Sequence, residues 1–311
     1  MKQKIAIVGA GLIGRAWAIV FARAGHPVAM TDVDAAALKR THALIGERLA
    51  DLREFGLIEE APETVLARIT CESSLAATVK DAALVQENVR ETLAAKQEIF
   101  TQLDPLAPPD CIIASSTSWI PASQYTENLS GRGRCLVAHP TNPPYLIPLV
   151  ELCPAPWTTP EALARARALY AGAHQEPVTL AREIHGFLLN RVQGAVLNEC
   201  FNLYAQGLAS AQDIDKVLKE GLALRWSFMG PFETIDLNAP KGVADYAARF
   251  GASNIALAQS HVPFAWDAET IRRIEAERRT VLGEDQLEAR AAWRDRRLMA
   301  LMAHKRDADK G

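Results

Sequence analysis

The chain has 311 residues, enough for two domains and a sizeable core. Its formal charge of −3 and pI near 6.2 provide no basic field for nucleic acid, and no apolar run approaches the roughly 20 residues that span a bilayer. The N-terminus runs straight into a strand-like stretch with no room for a secretory signal, so the expectation is a cytoplasmic protein with neither membrane nor nucleic-acid partners.

Lys4 to Gly14 read as a buried strand, a glycine-punctuated turn and the start of a helix. The apolar run Ile5 to Val8 fits a strand covered on both faces of a parallel sheet. Gly9, Gly11 and Gly14 fall at the G-x-G-x-x-G spacing, which lets backbone approach a pyrophosphate and aims the orphan N–H groups of the next helix at the anion. After an amphipathic segment to Ala24 and the break Gly25-His26-Pro27, a second apolar run ends in Thr31-Asp32. Asp32 lies 18 residues past Gly14, where a carboxylate accepts from a ribose diol and repels the 2′-phosphate of NADP, so the cofactor expected is NAD. The alternative for Asp32 is a cap on the helix that follows.

Residues 34–68 form a charged, helix-favouring tract, longer than a minimal crossover and read as a helical excursion beside the nucleotide domain. Strand-like runs recur at 82–86, 111–115, 134–138 and 149–152, with helical patterns at 90–103 and 159–172. That alternation predicts an α/β, doubly wound, mostly parallel sheet of the Rossmann kind over residues 1–184. From about residue 185 to 311 the pattern becomes helical throughout, with a long, largely buried helix at 186–204, a second at 210–220 and a terminal helix from Asp285. This second domain is expected to be all-helical. The five cysteines show no C-x-x-C pairing and are expected to be reduced and mostly buried. No metal site is expected.

Four side chains stand out for chemistry. His139 follows directly on the strand at 134–138, at the carboxyl edge where open α/β sheets bind ligands. Glu151 sits inside the apolar run Pro148 to Cys153, where a carboxylate needs a partner. Paired, the carboxylate orients the imidazole and leaves its other nitrogen to take a proton from a substrate hydroxyl. A turn histidine and an ion pair with one of the arginines are the alternatives. Ser118 closes the run Ser115 to Ser118 at another strand end, where a hydroxyl can bind the reacting oxygen or cap the next helix. Asn190 lies one turn into the long helix and can donate to a developing alkoxide.

Together these residues resemble the 3-hydroxyacyl-CoA dehydrogenase superfamily, and within it are similar to the lambda-crystallin and L-gulonate 3-dehydrogenase branch. The resemblance runs essentially end to end, through Ile7 to Trp17, Ser115 to Ser118, Val137 to Tyr145 with Ile147 to Glu151, Gly186 to Arg191, Gly230 to Thr234 and Trp293 to Asp295. It implies an NAD-linked alcohol dehydrogenase with Ser118, His139, Glu151 and Asn190 in the active site and a homodimer joined through the helical domain. The expected cofactor-binding set is Gly9, Gly11, Leu12, Ile13, Gly14, Asp32 and Glu91.

Two departures bear on substrate. Thr141 stands where the nearest branch pattern has Val, and Gly221 to Pro231 carries Arg225-Trp226 where acyl-CoA dehydrogenases tend to have a Gly/Pro-rich run. A guanidinium offers a bidentate seat to a carboxylate, which a free hydroxy acid has and a thioester lacks. Arg225 is therefore a candidate substrate-binding residue, its alternative being an ion pair with Glu233 or Asp236. The leading expectation is oxidation of the 3-hydroxyl of a small free hydroxy acid, an L-gulonate-like sugar acid. Competing expectations are a 3-hydroxyacyl-CoA, a carnitine-type substrate caged by Trp119, Tyr145 and Trp226, and a non-catalytic crystallin-like role.

Overall fold

The β-branched and aliphatic run from Lys4 to Val8 becomes the central strand of an eight-stranded sheet in a computed structural model that describes residues 2–308. The strands are β1 (Lys4–Val8), β2 (Val28–Thr31), β3 (Ile69–Cys71), β4 (Ala82–Glu87), β5 (Ile112–Ser115), β6 (Cys135–Pro140), β7 (Leu149–Pro154) and β8 (Glu176–Thr179). Their order is β3-β2-β1-β4-β5-β6-β7-β8. All neighbours run parallel except β6 and β7, which are antiparallel. The sheet is thus doubly wound with one antiparallel turn near its edge, and strand alternation sends residues to two cores. Ile5, Ile7, Leu84, Ile112 and Leu136 pack with Trp17, Phe21, Leu49 and Tyr170 on one face, while Val8, Val85, Ile113, Val137 and Cys153 pack with Phe100, Tyr125 and Phe187 on the other. Each such fully buried side chain contributes about 1.5–3 kcal/mol relative to exposure.

β3 and β8 were not expected from the pattern. They are short edge strands with exposed residues at Thr70, Cys71, Glu176, Val178 and Thr179, so neither shows the continuous apolar run that marks a buried parallel strand. The excursion after β2 is the helix Ala35–Glu54, capped by Asp34 Oδ1 accepting from Ala36 N at 2.8 Å, followed by the short helix Pro62–Leu66.

The chain divides into two compact units, one running to Asn190 and resuming from Arg294, the other Arg191–Trp293. The terminal helix Leu287–Ala308 thus ends in the first unit, where Arg296 pairs with Asp51 and Glu54 and Met299 is fully buried. The second unit is helical: the body of Leu189–Ala205, then Ala211–Lys216, a π-helical stretch Val217–Leu222, Ala223–Trp226, Pro231–Leu237, Val243–Ser260 and Ala268–Val281. The helix Leu189–Ala205 corrects an expectation, because only Asn202 and Tyr204 on it are buried and Val192 is 66 % exposed. Phe201 on this helix packs against Phe264 and Trp266, while Val192 and Leu197 are left exposed by the described residues.

All five cysteines are free; Cys111, Cys135 and Cys153 are buried, Cys200 is half-buried and Cys71 is exposed. Among the described residues no helix is long and apolar enough to cross a membrane, and no cluster of His, Cys, Asp or Glu is arranged to hold a metal ion.

Candidate active site

The carboxyl ends of β1, β2, β4, β5 and β6 bring the predicted residues of the first unit to one edge of the sheet. At β1 the turn is shaped by steric need. Gly9 has φ +98°, and a Cβ there would lie 2.7 Å from the Asn88 carbonyl oxygen, while a Cβ on Gly14 would collide with the Gly9 carbonyl. At Gly11 nothing lies within 4 Å of a built Cβ, so that side of the turn is open. The helix Leu12–Arg23 begins with no side-chain cap and no acidic residue in its first turn, leaving its first N–H groups to an anion. Leu12 is exposed and Ile13 half-buried beside it. Asp32, at the end of β2, accepts from Ala10 N through Oδ2 at 2.5 Å and from Asp34 N through Oδ1 at 2.8 Å. It therefore braces the glycine turn, and the helix cap is Asp34 instead. These residues fit a dinucleotide, with the pyrophosphate at the helix start and the half-buried Asp32 beside the ribose.

The antiparallel register of β6 and β7 places His139 directly opposite Glu151. Both are buried, and His139 Nδ1 lies 2.7 Å from Glu151 Oε2. A carboxylate oxygen accepts here, so Nδ1 carries the proton, and in the neutral imidazole Nε2 then presents a lone pair. The other oxygen, Oε1, accepts from the backbone N–H groups of Leu188 and Leu189 at 2.7 and 2.8 Å, where the helix Leu189–Ala205 begins. Three charge-assisted hydrogen bonds and a helix N-terminus thus hold the charge of a carboxylate with no solvent exposure. The chain reaches that helix through Gly186 and Phe187, both at positive φ, and the Phe187 ring packs 5.5 Å from the imidazole.

The run after β5 divides its hydroxyls between structure and site. Thr117 Oγ1 accepts from Trp119 N and Ile120 N at 3.3 and 2.9 Å and closes a turn; no helix starts at Ile120, the next being Ser123–Thr126 without a side-chain cap, and Ser118 Oγ has no hydrogen-bond partner among the described residues. Asn190 Nδ2 donates to the Ser118 carbonyl at 2.8 Å, which seats the amide beside this hydroxyl. Glu91 Oε1 accepts from Thr117 Oγ1, Ser118 N and Trp119 N at 2.5, 3.0 and 3.2 Å. Its observed contacts fix the Ser118 turn.

Sequence reasoning missed the buried polar groups beneath this edge. Lys96 and Glu87 form a fully buried ion pair at 2.8 Å, with Ser115 Oγ donating to the same carboxylate at 2.6 Å. Beside it Ser116 Oγ donates to Asn88 Oδ1 at 2.7 Å and accepts from Trp17 Nε1 and Gln86 Nε2, and Tyr170 OH donates to Gln86 Oε1. The available signal was a run, Gln86-Glu87-Asn88, ending an otherwise apolar strand.

Two further candidates differ in exposure. Tyr145 is 7 % exposed and packed in the core with Trp17 and Tyr170, so it is unavailable for an aromatic cage. Arg225 belongs to the second unit, is exposed, and has no ion pair among the described residues; Asp236 instead accepts from Val243 N.

Residues 4–184 match the model of the 3-hydroxyacyl-CoA dehydrogenase NAD-binding domain, and residues 186–266 match that of the 3-hydroxyacyl-CoA dehydrogenase C-terminal domain. The chain belongs to the 3-hydroxyacyl-CoA dehydrogenase family. It is 40 % identical to the lambda-crystallin homolog of Bos taurus over 304 residues, covering 96 % of this chain and 94 % of the relative. It is 38 % identical over 252 residues to an L-carnitine dehydrogenase of Streptomyces griseus, covering 81 % of this chain and 74 % of that one. Among solved structures, an NAD-dependent 5-formyl-3-hydroxy-2-methylpyridine 4-carboxylic acid 5-dehydrogenase aligns with a TM-score of 0.83 at 26 % identity over 97 % of both chains. The 3-hydroxyacyl-CoA dehydrogenase of Archaeoglobus fulgidus aligns with a TM-score of 0.69 at 29 % identity over 87 % of both. As in its family, the cofactor of this dehydrogenase is NAD.

Proposed function

We propose that this family member oxidises the 3-hydroxyl of a small free hydroxy acid, with an L-gulonate-like sugar acid as the favoured substrate. The observation that carries the reading is the buried His139–Glu151 pair, in which the carboxylate fixes the tautomer that exposes a basic Nε2. NAD, when bound, supplies the hydride acceptor. His139 Nε2 takes the hydroxyl proton as the C–H bond breaks, and the resulting imidazolium is stabilised by Glu151, which stays ionised. Ser118 Oγ and the remaining Asn190 N–H hold the reacting oxygen. A positioned base of this kind contributes about 10²–10⁴-fold. Gly9, Gly11, Leu12, Ile13 and Gly14 bind the cofactor's pyrophosphate, Asp32 its ribose, and Glu91 supports the turn that borders it.

A free acid is favoured over a thioester because Arg225 is an exposed guanidinium with no carboxylate partner among the described residues, able to seat a substrate carboxylate. The identity to lambda-crystallin homologs over nearly the whole chain supports the same branch. The quaternary-ammonium reading is weakened by the burial of Tyr145. We also assign the uncovered apolar surface of the helical unit, including Phe228 and Phe232 at 70 % and 81 % exposure, to a homodimer interface.

The test is initial-rate NAD reduction with L-gulonate, L-3-hydroxybutyrate, L-carnitine and 3-hydroxybutyryl-CoA. Highest kcat/KM with a free acid supports the proposal. Preference for the thioester overturns it and makes Arg225 a surface residue.

A further inference from the structure

One cavity in the first unit belongs to none of the machinery above. It measures about 650 Å³, within the range of small-molecule sites, and none of the candidate catalytic or cofactor-binding residues lines it. Its walls come from the end of the helix Leu12–Arg23, the loop after Ala35–Glu54, the segment joining β6 to β7, the start of β8 and the terminal helix. Half-buried Leu57 and Met302 supply apolar surface, with Ile58, Val65 and Leu146 buried behind them.

The charges on this wall are unequal in environment. Arg23 is partly buried, its Nη1 donates to the Tyr145 carbonyl at 2.9 Å, and among the described residues no carboxylate lies within ion-pairing distance of it. Burial pulls this guanidinium down to about 10. A desolvated cation with one neutral acceptor is poorly compensated, since buried charges are ordinarily paired. Lys305, half-buried, also lines the cavity and has no ion pair among the described residues. The carboxylates present are Glu59, Glu60 and Glu176, all exposed, and Glu60 is bound by Arg68 through both oxygens. Exposed carboxylates are screened by water and salt, whereas the field of a withdrawn guanidinium is screened much less. The same carboxylates disfavour a polyanion.

We propose that this cavity is a binding site for a small amphipathic monocarboxylate, its carboxylate on Arg23 and Lys305 and its apolar body against Leu57 and Met302. The site is distinct from the one at His139, and its Tyr145 and Leu146 lie on the segment that joins the His139 strand to the Glu151 strand.

Isothermal titration calorimetry of the full chain with octanoate tests this. The expected result is saturable binding, one octanoate per chain, with 1-octanol and inorganic phosphate at least tenfold weaker. Arg23→Met weakens octanoate about tenfold to a hundredfold, as loss of a charged hydrogen bond does, and Lys305→Met weakens it severalfold. Should Arg23→Met fail to fold, Met302→Trp, which fills the cavity, abolishes binding while leaving basal NAD-linked turnover unchanged. Octanol binding as tightly as octanoate, or octanoate binding that survives both Lys305→Met and Met302→Trp undiminished, overturns the proposal.

Discussion

In the first unit, strands β1, β2, β4, β5, β6 and β7 bury most of the side chains they carry, and their buried charges are enclosed with partners, Glu87 with Lys96 and Glu151 with His139. In the helical unit the same residue types stand in the open: Val217, Phe228, Phe232, Leu237 and Ile255 are each more than 60 % exposed, and the helix Val243–Ser260 has no buried residue. The contrast teaches where each unit finds its stability. A doubly wound sheet covers itself with its own crossover helices. A set of amphipathic helices needs another surface, here assigned to a second copy of the chain.

His139→Gln removes the base while keeping a side chain that can bond to Glu151, and kcat/KM is expected to fall about 10²–10⁴-fold with NAD binding retained by calorimetry. Undiminished turnover removes the histidine from the mechanism. Glu87→Ala leaves the buried Lys96 ammonium with only the more distant Glu91 carboxylate at 3.7 Å and is expected to cost about 3–5 kcal/mol in denaturant unfolding; a loss below about 1 kcal/mol shows that the Glu87 pair is dispensable to the sheet. In the open unit, Arg225→Met is expected to lower kcat/KM for the free acid about tenfold to a hundredfold, corresponding to about 1.5–3 kcal/mol, with thioester turnover unchanged. Equal effects on both substrates contradict a carboxylate seat.

Phe232→Lys carries a smaller energetic effect within the chain, within about 0.5 kcal/mol for an exposed position. Its expected outcome is a shift from dimer to monomer by light scattering, and an unchanged mass moves the interface elsewhere. The smallest effect is expected at Thr141, whose buried Oγ1 has no hydrogen-bond partner among the described residues. Thr141→Val removes that hydroxyl without changing shape and is expected to raise stability by about 1 kcal/mol, measured by thermal unfolding. A loss of stability shows that the hydroxyl is satisfied in solution.

The legibility of the fold followed local pattern strength. β1, β2, β4, β5, β6 and β7 are continuous apolar runs ending at turn residues, and the glycine spacing after β1 marks its strand-to-helix turn without reference to anything distant. β3 and β8 escaped because a short edge strand is defined by its neighbour's hydrogen bonds and not by its own composition. The burial expected for Leu189–Ala205 failed for a related reason: apolar spacing shows that a face wants cover and says nothing of which chain supplies it.

Among the candidate residues, the sequence by itself determined the glycine turn, the acidic end of β2 and the presence of a histidine and a glutamate near strand ends, because each is encoded within a few residues. Only the tertiary structure decided that His139 and Glu151 face each other across an antiparallel register, that Leu188 and Leu189 donate to the same carboxylate, and that Asn190 meets the Ser118 carbonyl. It also decided that Asp34 caps the helix, which leaves Asp32 to brace the glycine turn, and that Glu87 and Lys96 share one enclosed charge pair. The physical reason is that a hydrogen bond depends on atoms brought within about 3 Å and aligned, and contacts between residues far apart in sequence are set by strand register and helix packing, which no local pattern contains.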